Sequence, residues 1–328
     1  MSTAADTAAD PEGRRGVLVT GGTGHVGRLA LEALATHGAG PLVSLDVRAP
    51  AAPRAGVVEV RADVRDADLV ALLRAHAVAA VVHCAAIVTP PPGMGEDELH
   101  AIEVGGTRRL VAACVEAGVQ HLTVMSSGAA YGYHPRNHLR PLVESDSVPG
   151  SPGFAYSRHK AEVETLLAEA RREHPGLGQL VLRPGTILGA GTSNQITALF
   201  ERPVVLGLRG VEVAFVLVWD RDVAEVVARG VTERVTGTFN LAGDGVLTLA
   251  DIAAIEGRRL VRVPPALIAA ALQVLDRLGV GPYGPEQVDF LRYRPVLSND
   301  ALKAAFPGLP TRSTREAYEA YRRGRDDG

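Results

Sequence analysis

Residues 17–34 read VLVTGGTGHVGRLALEAL. Val17 to Thr20 form a short apolar run with β-branched residues, the composition of a strand buried on both faces. Four glycines follow, giving GxxGxxG from Gly21 or GxGxxG from Gly22, and an amphipathic helix begins directly after them. The flanking strand and helix are what give such a pattern meaning. Gly21 permits a tight turn, Gly24 lets the backbone approach a pyrophosphate, and Gly27 lets the helix pack closely on the sheet. The helix N-terminus offers unpaired N–H groups and a partial positive charge to phosphates. This stretch predicts a dinucleotide site.

The same rhythm continues outward. Strands are expected at 41–46, 57–60, 78–86, 121–127 and 179–184, and helices at 66–76, 96–118 and 154–174. Strands alternating with helices predict an α/β fold, a doubly wound parallel sheet of Rossmann type. After Pro184 the loops lengthen. Capping-box patterns still mark short helices at Asp222/Glu225, Thr248/Asp251 and Ser313/Glu316. The expected organisation is a disordered leader over 1–15, a dinucleotide-binding domain over 16–185 and a smaller C-terminal substrate-binding lobe over 186–328. Segments 211–218 and 237–241 are candidates to rejoin the main sheet.

Composition narrows the function. The chain has 328 residues, enough for a sizeable core, and a formal net charge of −3, which argues against a nucleic-acid partner. Its most apolar stretch, Ala266 to Leu275, is far short of the ~18 residues that suggest a membrane span. The first fifteen residues lack the apolar centre of a signal peptide. Cys84 and Cys114 make neither metal spacing nor a disulfide framework, so a reducing cytoplasm is expected.

Asp46 ends the second strand, nineteen residues after Gly27. A carboxylate there accepts hydrogen bonds from the adenosine ribose and repels a 2′-phosphate, which favours NAD over NADP. Arg48, two residues on, is placed to pair with that phosphate if Asp46 turns away. Asp63, after the third strand, reads either as a contact to the adenine amino group or as a helix cap.

Tyr156 and Lys160 stand four apart in FAYSRHKAEVETLL and share a helix face. Only two of the 34 basic residues are lysine, Lys160 and Lys303, so this pairing is rare by chance. A phenol is a poor base at neutral pH, and a nearby ammonium lowers its pKa. Such a pair suits proton transfer at a carbonyl or alcohol oxygen. Ser126 and Ser127 close the fifth strand, at the end where parallel sheets bind ligands.

Taken together, these motifs resemble the extended short-chain dehydrogenases/reductases, the NAD-dependent epimerase/dehydratase family. TGGTGHVG resembles the family's TGGxGxxG turn, MSSGAAYG its SS-x-x-VYG strand end, and YSRHK its YxxxK. LRPGTILGAG (182–191), FVLVWDRDVAEVV (215–227) and GTFNLAGDG (237–245) are similar to later family motifs. The resemblance implies a Ser127–Tyr156–Lys160 triad. It also implies NAD lying against Gly21, Gly24, His25, Val26, Gly27, Asp46, Asp63, Val64, Ala85 and Lys160.

Departures shape the substrate reading. Glu103 stands where members often carry asparagine, and Thr186 replaces the asparagine of the strand-six motif. Gly128 and Ala129 stand where 4,6-dehydratases carry an Asp-Glu pair. Val213 stands where nucleotide-sugar enzymes usually have an arginine, although Arg209 or Arg292 could substitute. Residues 263–280 form an apolar segment that either packs the lobe or covers a hydrophobic substrate. These features point to hydride transfer between NAD and a secondary alcohol or its ketone. A nucleotide-sugar 4-epimerase with the same triad is the first alternative, and a non-catalytic dinucleotide sensor the second. A homodimer is expected, with Val163, Leu166, Leu167 and Ala170 spreading apolar surface along one of its helices.

Overall fold

The computed structural model describes residues 15–91, 93–192, 195–200, 202–277 and 287–326. The expected leader lies outside them apart from Arg15. The first half runs β1 (Gly16–Thr20), α1 (His25–Thr36), β2 (Leu42–Asp46), β3 (Val57–Arg61), α2 (Leu69–Ala75) and β4 (Val78–His83). Next come α3 (Glu96–His100), a π-helical turn (Ala101–Gly105), α4 (Gly106–Ala117), β5 (His121–Met125), α5 (Ala155–Glu173) and β6 (Gly178–Pro184). The second half runs β7 (Thr186–Leu188), α6 (Gln195–Phe200), β8 (Val204–Leu208), β9 (Ala214–Phe215), β10 (Leu217–Trp219), α7 (Asp220–Thr232) and β11 (Gly237–Leu241). It closes with β12 (Leu247–Thr248), α8 (Leu249–Ile255), β13 (Arg259–Val263), α9 (Pro265–Arg277), α10 (Gln287–Arg292), α11 (Asp300–Ala305) and α12 (Thr314–Asp326).

Seven strands form one parallel sheet in the order β11-β6-β5-β4-β1-β2-β3. The chain reverses its direction of travel across the sheet between β1 and β4. A crevice opens there at the carboxyl ends of the strands. Alternation along β1 divides the core. Leu18 joins the layer packed by α2, α4 and α5, whereas Val17 and Val19 join the layer packed by α1 and α7. A third cluster built on Phe200, Phe215, Ile252 and Tyr318 forms the C-terminal lobe.

Several sequence expectations are corrected. The segment 237–241 rejoins the sheet beside β6, but 211–218 does not: β9 pairs with β12 and β10 with β7. The Asp68 carboxylate accepts the Ala71 N–H, so α2 begins there rather than at Asp66. The capping pairs at Thr248/Asp251 and Ser313/Glu316 form. Asp222 does not cap. Helix α7 already starts at Asp220, and the Asp222 carboxylate instead accepts hydrogen bonds from the Thr311 hydroxyl and N–H. Val163, Leu166, Leu167 and Ala170 are buried in this chain's own core. They cannot supply a subunit interface.

Candidate active site

The glycine turn has the geometry its spacing predicts. Gly21 sits at φ +69°, and a Cβ there would come within 2.7 Å of the Ala85 nitrogen. A Cβ on Gly27 would lie 2.2 Å from the Gly21 carbonyl oxygen, so only glycine lets α1 approach β1 this closely. Gly24 begins α1 without a side-chain cap. Its first-turn N–H groups are thereby left for an anionic ligand. The Asp46 carboxylate braces the turn, accepting the Thr23 N–H at 3.1 Å and the Arg48 N–H at 3.0 Å. Arg48 itself is exposed, 3.8 Å from Asp46. Arg54, which sequence reading passed over, donates to the Gly22 carbonyl and to Ser44 while pairing with Glu59.

The Asp63 side chain accepts the Arg65 N–H at 2.8 Å at the turn before α2. The Arg65 guanidinium grips both carboxylate oxygens and holds that carboxyl below the usual range. Val64 beside it is buried, packed against Gly106. His25 Nε2 lies 2.9 Å from Asp220 Oδ2, which ties the start of α1 to the start of α7.

Lys160 points from α5 into the seam with the π-helical turn, where its ammonium meets Glu103 Oε2 at 3.0 Å. It also donates to the Met125 carbonyl at 3.4 Å and lies 5.6 Å from the centre of the Tyr156 ring. Burial opposes the lysine charge, but the Glu103 carboxylate outweighs it and holds the ammonium above its ordinary value. The second Glu103 oxygen accepts the Ile87 N–H at 2.5 Å. A π-turn displaces one residue out of helical register, and here that residue is a carboxylate facing the lysine.

Behind this pair, His83 accepts the Thr20 hydroxyl at Nδ1 (2.7 Å), and its Nε2 meets Thr107 Oγ1 at 3.0 Å. Thr107 spends its own proton on the Glu103 carbonyl, so the Nε2 of His83 is the protonated nitrogen. Burial, aided by the Lys160 charge, pushes His83 down to about 4. Burial pushes the Cys84 and Cys114 thiols up to about 12, so both stay protonated.

Tyr131 and Tyr156 differ in their surroundings. Tyr131 is wholly buried, and its hydroxyl is shared among Asn240, the Val143 carbonyl and Arg183. Tyr156 borders the cavity, and its hydroxyl makes no hydrogen bond among the described residues. Ser126 is committed to Glu164 at 2.6 Å, whereas Ser127 faces the cavity and accepts only the Ala129 N–H.

A cavity of about 520 Å³ joins Gly21, Gly24, His25, Val26, Gly27, Ser127, Tyr156 and Lys160. Asp46, Asp63, Val64 and Ala85 do not line it. Its far wall comes from Tyr133, Phe154, Phe290 and Arg294. The three rings pack mutually with centroids 5.0–5.5 Å apart. None of the described residues of α9 lines the cavity, and 278–280 of the apolar segment lie outside the described residues. Arg209 and Arg292 are exposed and do not line it either. The arginine that does is Arg294, which sequence reading did not single out.

The family model described as "NAD dependent epimerase/dehydratase family" matches residues 17–224. The chain belongs to this family. Among curated relatives, an uncharacterized protein of Mycobacterium tuberculosis is 27% identical over 329 residues, covering 96% of this chain and 85% of that protein. A UDP-glucose 4-epimerase of Azospirillum brasilense is 33% identical over 200 residues, covering 58% of this chain and 54% of the enzyme. Of solved structures, MoeE5 in complex with UDP-glucuronic acid and NAD superposes with a TM-score of 0.72 at 21% identity, covering 95% of this chain and 99% of that one. As a family member the chain uses NAD. The uncapped start of α1 and the glycine-only approach of Gly21 and Gly27 fit that cofactor's pyrophosphate. No described helix is long and apolar enough to cross a membrane.

Proposed function

We propose that this epimerase/dehydratase-family chain is an oxidoreductase that interconverts a secondary alcohol and its ketone, with Tyr156 as general acid/base. The observation that carries this reading is the contrast between the two tyrosines: Tyr131 is sealed and fully bonded, while Tyr156 opens on the cavity beside a buried ammonium. NAD, when bound, supplies the hydride acceptor or donor. Tyr156 takes the proton of the substrate hydroxyl or returns one to the carbonyl oxygen. Ser127 holds that oxygen by its hydroxyl. Lys160 keeps positive charge near the ring and offers donors to the cofactor ribose. Glu103 holds Lys160 in place and charged. Asp46 favours NAD over NADP. Gly128 and Ala129 offer no acid or base for dehydration. The cytoplasm is the expected compartment. A homodimer now rests on the family resemblance alone, because the apolar arc that argued for it lies inside the chain.

A second reading is a nucleotide-sugar 4-epimerase. The 33% identity to the Azospirillum epimerase favours it. The same triad serves both, but an epimerase regenerates its NAD each cycle. The test incubates the protein with NAD and a panel of secondary alcohols while absorbance at the NADH band is followed. Net NADH formation supports the oxidoreductase. Interconversion of UDP-glucose and UDP-galactose without net NADH overturns it.

A further inference from the structure

A second, smaller cavity of about 270 Å³ lies outside the active-site cavity, where α1, α7 and α12 come together. Four arginines line it: Arg28 from α1, Arg221 from α7, Arg312 from the segment before α12, and Arg323 from α12. Asp220 is the one acidic residue among the described lining residues. Its carboxylate is already engaged by His25 at 2.9 Å. Arg28 and Arg221 share a single carboxylate, that of Glu32, at 2.6 and 3.1 Å. Glu32 does not line the cavity.

The other two arginines are less well matched. Arg312 lies 3.9 Å from the centre of the Trp219 ring, and the Asp222 and Glu316 carboxylates act on it only at longer range. Arg323 is exposed and forms no ion pair among the described residues. Guanidinium groups keep their charge at any physiological pH. Four of them brought to one small cavity from separate elements repel one another, and one shared carboxylate offsets only part of that repulsion. An anion with several charges placed among them turns the repulsion into attraction. Planar guanidinium forks meet phosphate oxygens two at a time, which selects phosphate geometry as well as charge. The cavity is smaller than the usual site for a whole drug-sized ligand, which suits a compact anion.

We propose that this arginine cavity is a second anion site, separate from the dinucleotide turn, that takes a diphosphate group. That group is either free pyrophosphate or the diphosphate of a nucleotide. Arg312 and Arg323 supply the uncompensated charge, and Arg28 and Arg221 close the opposite side. The Trp219 ring holds Arg312 against the wall.

The test uses the full chain saturated with NAD, so that the dinucleotide turn is already filled. Trp219 is the only tryptophan of the chain, so its fluorescence reports on this cavity directly. Pyrophosphate, orthophosphate and ADP are titrated at constant ionic strength, with calorimetry on the same samples. Saturable binding of pyrophosphate or ADP, about tenfold or more tighter than orthophosphate, is expected to accompany a change in Trp219 emission. ADP binding at least as tightly as pyrophosphate supports a nucleotide as the source, and tighter pyrophosphate supports the free anion. Arg323→Gln and Arg312→Gln are each expected to weaken binding about tenfold or more. Arg315→Gln removes the same charge from the same helix outside the cavity and should leave binding nearly unchanged. Absence of saturable binding by the unaltered, NAD-loaded protein overturns the proposal without recourse to any variant. Equal weakening by Arg315→Gln and Arg323→Gln also overturns it, since the attraction would then be a general surface charge.

Discussion

Two regions meet at the cavity and treat a cation in opposite ways. In the seam of α5 with the π-helical turn, Lys160 is matched by Glu103, whose remaining oxygen is satisfied by a backbone N–H. In the C-terminal lobe, Arg294 has two neighbouring rings and one hydroxyl but no countercharge among the described residues. The first arrangement is complete within the chain and holds the Lys160 ammonium in place. Charge balance therefore differs between the two walls of one cavity.

The largest effect expected from breaking the first region is catalytic. Tyr156→Phe keeps the ring but removes the proton-transferring hydroxyl, so turnover should fall by about 10²–10⁴. NAD affinity, measured by titration, should stay nearly unchanged. Substantial residual turnover would sink the assignment.

The contrast itself is tested by stability. Glu103→Gln strands the Lys160 ammonium in a buried site and should cost about 3–5 kcal/mol in urea unfolding. Arg294→Met strands no partner and should stay within about 1 kcal/mol of the unaltered protein, since the lost ring stacking is offset by relief of an uncompensated charge. Equal losses from the two variants would mean that both cations are structural.

His83 sharpens the picture through pH. Its folded value is depressed from 6.5 to about 4. Between those values the unfolded chain binds a proton that the folded chain refuses, so stability drops as pH falls. The loss contributed by this residue should reach roughly 3 kcal/mol near pH 4. Urea melts at pH 7, 5.5 and 4.5 on the unaltered protein and on His83→Asn check it: the variant should show the shallower acid slope.

The smallest expected effect concerns the cofactor. Asp46 should make NAD bind about tenfold or more tighter than NADP. Equal or tighter NADP binding would mean that the exposed Arg48 captures the 2′-phosphate.

Legibility followed locality. The strand–turn–helix at 17–34, the i,i+4 pair at Tyr156 and Lys160, and the strand-end serines are patterns within a few residues of chain, and the structure forms each of them. Ser127 was separable from Ser126 only by resemblance; the fold supplies the physical reason, since Glu164 takes Ser126. Asp63 was placed after β3 by chain order, but nothing in that order announced that the Arg65 guanidinium would meet both of its oxygens. Val163, Leu166, Leu167 and Ala170 looked like an interface because periodicity records an apolar arc, not what covers it.

By itself the sequence determined the doubly wound sheet, the glycine turn and the Tyr156/Lys160 face, because backbone conformation and side-chain periodicity are set by near neighbours. The tertiary structure alone decided that Glu103 pairs with Lys160 and that Arg294, rather than Arg209 or Arg292, reaches the cavity. Charges separated by more than fifty residues meet only when helices and lobes pack, and whether a buried ion is balanced depends on everything that surrounds it in space.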